Sequence, residues 1–147
     1  MAEPEKIRNL VIILIAIAVV VLNGLIDHFF APAGILLMPC IAPAAAGIIS
    51  FVTKGINPIF KSILIFLCVS LNDIGIKLYG GGTHDLEGLG WVNLFFFAGL
   101  VPVYGILIAT AFIDKQNFFW SKIGAIVLFP FLVAIHIHYF SNLGLGR

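Results

Sequence analysis

Apolar residues dominate this chain in runs too long for the core of a soluble domain, so the first question is where the runs are broken. A transmembrane helix needs about 20 mostly apolar residues. By that measure the pattern divides into five spans, at roughly 7–30, 34–53, 58–79, 91–113 and 122–140. Connections this short leave one helical bundle and no room for a second domain. The expected fold is therefore all-α, a polytopic bundle of five transmembrane helices.

The first run, after Lys6 and Arg8, reads as a retained span rather than a cleaved leader, because Asp27, His28, Phe29 and Phe30 make a poor cleavage region. The second contains Pro39 and Pro43, which allow either a kinked span or a re-entrant half-helix. Lys54 and Lys61 favour the span, since only then do they lie on the same side as Lys6 and Arg8. The third run is apolar only from Ile63 to Leu71 before Asn72, Asp73 and Lys77 interrupt it, so its last third cannot face lipid.

This layout gathers Lys6, Arg8, Lys54, Lys61, Lys115 and Lys122 at one end, against Lys77 and Arg147 at the other. Basic loops stay in the cytoplasm, which predicts an inside N-terminus and an outside C-terminus, in a bacterial inner membrane. Composition agrees: 61% of residues are hydrophobic and 10% charged, against about 25% charged in soluble domains. Mean hydropathy is +1.15.

The formal net charge of +1, with no basic run, argues against nucleic-acid binding. Cys40 and Cys68 sit in apolar runs without a metal or redox spacing. No phosphate loop, dinucleotide fingerprint or nucleophile elbow occurs, and Gly80-Gly81-Gly82 is read as a turn.

The polar residues have a common depth. Asn23, Asp27 and His28, then Asn72, Asp73 and Lys77, then His136 and His138 mark the outer ends of the first, third and fifth spans. His84, Asp85 and Glu87 belong to the loop beside them. Ionisable groups within spans are costly and are functional candidates by default. Asn23 with Asp27, and Asp73 with Lys77, are four apart and share a helix face, the latter as an intrahelical ion pair. His136 and His138 stand about 200° apart, so one is expected to face inward and the other outward.

Histidine with carboxylate is a ligand set for zinc or a similar divalent metal. The sharpest expectation is that His28, His84 and one of His136 or His138 meet at one outer site, with Asn23, Asp27, Asn72, Asp73, Lys77, Asp85 and Glu87 around it. Three functions fit such a layer. The first is a membrane subunit or a solute-, ion-binding or transport element, in contact with lipid and with other subunits or its own copies. The second is a metal-dependent hydrolase or transferase at the outer leaflet, with Asp27 or Glu87 as general base. The third is a haem b carrier with His28 and His136 as axial ligands. Proton or metal-ion translocation is the weakest, because the inner half offers almost no ionisable relay.

Overall fold

A computed structural model describes residues 3–80, 85–114 and 117–145, all in helices, turns and short connections, with no strand among them. Five helices are long and apolar enough to cross a membrane, the make-up of an integral membrane protein. They are α1 (Glu3–Phe29), α2 (Ala33–Gly47, prolonged by a π-helical segment Ile48–Val52), α3 (Pro58–Tyr79), α4 (Leu86–Ile113) and α5 (Phe119–Phe140). The second is one continuous helical stretch of 20 residues, long enough to cross, and does not turn back on itself.

Packing follows the periodicity of each helix. In α1 the buried residues Asn9, Ile12, Ala16, Val20, Asn23 and Asp27 form one narrow stripe, the i, i+3, i+4 signature of a helix with a single packed face. The stripe on α5, Ala125, Phe129, Val133 and His136, is equally narrow. In α3 it is broad, with Cys68 and Val69, Asn72 and Asp73, and Ile76 and Lys77 buried in adjacent pairs, because this helix packs on α1 and α2 with one face and on α5 with another. Small residues let α2 sit close: a Cβ on Gly99 of α4 would lie 3.3 Å from the Met38 carbonyl oxygen and from Pro39 Cα.

Pro39 and Pro43 remove two amide donors from α2, and its ends are held by charges from other helices. Asp27 Oδ1 accepts from Ile35 N in the first turn at 3.1 Å, and Gly34 N also donates to this carboxylate. At the far end Lys61 Nζ donates to Ser50 O at 3.2 Å and Thr53 O at 3.3 Å. A carboxyl group at the N-terminus and an amine at the C-terminus match the polarity of the helix dipole. Both also satisfy terminal groups that have no intrahelical partner and, in lipid, no water.

Most sequence-derived boundaries agree within a few residues; the start of α4 does not. Asp85 and Glu87 are not part of a loop lying over the bundle. Asp85 is the N-cap of α4, its Oδ1 accepting from Gly88 N at 2.7 Å, and Glu87 lies in the first turn. The cap and the dipole draw acids to this position, so α4 begins five residues before Trp91. Similarly, α1 starts at Glu3 and α5 at Phe119, each a few residues ahead of its apolar run.

Candidate functional site

Asn72 and Asp73 are neighbours on α3 and point to different sides of it, dividing the polar layer in two. Towards α1 and α2, Asn23 Nδ2 donates to Asn72 Oδ1 at 2.9 Å and to Gly34 O at 3.1 Å. Asp27, fully buried, completes this side by capping α2. Its Oδ2 lies so close to Gly80 that a Cβ there would stand 2.2 Å from it. Glycine at 80 is thus required by the approach of this carboxylate and of the Ile76 carbonyl oxygen, not by a positive φ.

Towards α5 lies a different arrangement. Asp73 Oδ2 accepts from Lys77 Nζ at 2.9 Å and from His136 Nε2 at 2.8 Å, with all three side chains buried. Lys77 Nζ also donates to Phe140 O at 3.0 Å, closing the end of α5 onto α3. The other ring nitrogen, Nδ1, lies 2.8 Å from Ser70 Oγ. An ionised carboxylate only accepts, so Nε2 carries a proton; in the neutral ring Nδ1 is then an acceptor, and the Ser70 hydroxyl donates to it. The ring is boxed by Phe140 at 5.0 Å, Phe96 at 5.4 Å and Phe66 at 6.2 Å between centroids. Excluding water with aromatic walls strengthens each charged contact inside.

Beside this cluster is a cavity of about 80 Å³ lined by Lys77, Asn93, Phe96, Phe97, His136, Ile137 and Ser141. Water occupies about 30 Å³ per molecule in the liquid, so the space suits a water or two, or one small solute. Asn93 Nδ2 donates to Ser141 O at 3.2 Å and ties α4 to the turn after α5. That turn passes over α3 at Gly144, whose φ of +95° favours glycine, and a Cβ there would meet the Lys77 carbonyl oxygen at 2.5 Å.

The histidines separate. His136 faces inward and His138 outward, as their spacing requires. His28 is exposed on α1, its Nδ1 donating to Tyr79 O at 2.9 Å. His84 lies outside the described residues, and with it the expected meeting of three imidazoles. Among the described residues no group of three or more His, Cys, Asp or Glu is placed to hold a metal. Both ring nitrogens of His136 are already engaged, so ligating haem b would require it to release Asp73 or Ser70. Asp85 and Glu87 are exposed on α4, with Asp85 committed to its cap.

Sequence reasoning missed Ser70 and Asn93. A signal for Ser70 was present, since Ser70, Asp73 and Lys77 are spaced i, i+3, i+7 and form a polar stripe on one helix face. Asn93 has no such companion on α4. A scan against models of protein families finds no match to this chain, and neither curated proteins nor solved structures yield one.

Proposed function

We propose that this chain is a small membrane component that binds one small anion or polar solute beside the Asp73–Lys77–His136 cluster. The observation that carries this reading is the cavity next to Lys77 and His136. Its polar walls are the Lys77 ammonium, the His136 ring, the Asn93 carboxamide and Ser141, and among the described residues no carboxylate lines it. These few polar groups, set in an otherwise apolar wall, suit a ligand with one electron-rich end, and about 80 Å³ limits it to a few heavy atoms.

In the membrane we place the N-terminus in the cytoplasm and this site towards the outer face of a bacterial inner membrane. Support comes from Lys6, Arg8, Lys54, Lys61 and Lys122 at the opposite end. In a background carrying Cys40→Ser and Cys68→Ser, cysteine replacing Asn142 is expected to react with an impermeant maleimide in intact cells, and cysteine replacing Lys54 only after lysis. The reverse pattern overturns the orientation.

Binding is tested on the purified chain by thermal unfolding in sodium chloride, nitrate or formate, against gluconate at equal ionic strength. A ligand present at 100 times its Kd stabilises by about 2.7 kcal/mol, a shift of several degrees. Asn93→Leu, which keeps bulk and removes the donor, should abolish it. Absence of a saturable shift, or the same shift in Asn93→Leu, overturns the proposal.

A second reading is favoured by the Ser70–His136–Asp73 chain, which has the order nucleophile, base and orienting carboxylate. In a hydrolase or transferase of lipid esters, Ser70 Oγ would attack the acyl carbon, His136 Nδ1 would take its proton, and the leaving alcohol would receive it. We rank this second because the amides around Ser70 are spent in α3 and supply no oxyanion donors. A fluorophosphonate probe would label Ser70 in the wild type and not in His136→Ala if this reading holds; an unlabelled wild type removes it.

A further inference from the structure

At the end of the bundle opposite the Asp73 cluster, the start of α1 and the turn between α2 and α3 border a second hollow, shallow and widely open. We propose that it is a site for an anionic phospholipid, holding the phosphate at its rim and part of an acyl chain along its floor. The proposal is independent of the anion or solute site described above.

The hollow has a defined framework. Asn9, buried on α1, grips the backbone of Lys54 from both sides, Nδ2 donating to Lys54 O at 2.8 Å and Oδ1 accepting from Lys54 N at 3.3 Å. Gly55 then turns the chain with a φ of +66°. Asn57 caps α3 by accepting from Ile59 N at 2.9 Å and also receives the Ser121 hydroxyl at 2.8 Å. Beside these bonds lies a shallow, open space of about 440 Å³ lined by Lys6, Asn9, Leu10, Ile13, Gly55, Ile56, Asn57 and Phe60.

Its chemistry is that of an amphiphile. Leu10, Ile13, Ile56 and Phe60 form an apolar floor, while Lys6 stands at the rim with exposed Lys54 on the adjoining turn. Among the described residues no Asp or Glu lines it; Glu3 and Glu5 precede it in the first turn of α1. A free phosphate would leave the apolar floor uncovered, and an apolar partner helix would bury Lys6 without a counter-charge, which is costly in a membrane. A phospholipid with a net negative headgroup meets both demands, as basic pockets between transmembrane helices do elsewhere.

The test uses the full chain reconstituted in vesicles of equal parts phosphatidylcholine and phosphatidylglycerol, then transferred to native mass spectrometry to read the lipid retained. Wild-type protein should keep phosphatidylglycerol in preference to phosphatidylcholine. Each lysine near an anionic headgroup contributes about fivefold, so Lys6→Gln with Lys54→Gln should lower the preference by more than an order of magnitude. Lys6→Arg with Lys54→Arg should keep it. Ile13→Trp, which fills the floor and leaves the charges in place, should lose the bound lipid while circular dichroism remains that of the wild type. The proposal is overturned by equal retention of the two lipids, by a preference that survives the double neutralisation or the filled floor, or by a protein dimer whose abundance tracks Lys6 in place of lipid.

Discussion

Asp27 and Asp73 are both fully buried and belong to the same polar layer, yet they do different things. Asp27 meets backbone amides. Its partners, Ile35 N and Gly34 N, are the otherwise orphaned donors of a helix start, so its carboxyl oxygens complete the fold of α2. Asp73 meets side chains: a lysine, a histidine and, through that histidine, a serine. A buried ionisable group within a membrane span is thus not by itself a mark of function. What distinguishes the two carboxylates is whether the partner is the fold's own backbone or a set of side-chain donors beside a cavity.

The largest effect should come from Asp73→Leu, which strands Lys77 and His136 in a low-dielectric site. Removing one member of a buried ion pair typically costs about 3–5 kcal/mol. Unfolding in mixed micelles should show a loss of that size, and Asp73→Leu combined with Lys77→Met should recover a large part of it. If the double variant is no better than the single, the cluster is not an interacting unit and the contrast with Asp27 fails.

Asp27→Ala should cost about 1–2 kcal/mol, the range for a lost helix cap, while the anion-dependent shift in melting temperature persists. Asp27→Asn, which keeps an acceptor, should recover most of the stability. Gly80→Ala should be as damaging as Asp27→Ala, because its Cβ would displace Oδ2. Loss of the ligand response together with stability in these variants would mean that the two halves of the layer form one site.

Lys61→Met tests the cap at the other end of α2 and should cost about 1 kcal/mol. Hydrogen exchange should quicken in the segment 49–53 and remain unchanged around His136. The smallest effect is predicted for His138→Ala, within about 0.5 kcal/mol because the side chain is exposed. Its ligand response should equal that of the wild type, whereas His136→Ala should lose it. Equal behaviour of the two histidines would remove His136 from the site.

Several features were legible from local rules. The spans followed from runs of apolar residues, the Asp73–Lys77 pair from four-residue spacing, and the opposite faces of His136 and His138 from two-residue spacing. Each depends on helix geometry alone. The start of α4 was legible too, had the capping preference of Asp85 been weighed above the apolar run that begins at Trp91.

What the chain order could not convey is which polar group would meet which across the bundle. The Asn23–Asn72 bond joins residues 49 apart and the Ser70–His136 contact joins residues 66 apart. The amide of Ile35 reaches Asp27 only after the chain reverses between α1 and α2. Hydropathy determines that these helices are long and apolar enough to cross a membrane, where every backbone group must be satisfied within a helix. It carries little information on their neighbours, since apolar faces pack with one another almost interchangeably. The tertiary structure chose the pairings through close fit at Gly34, Gly80, Gly99 and Gly144, where a single added carbon would collide with or crowd a neighbouring helix. That fit assigned one buried carboxylate to the backbone and left the other beside a cavity.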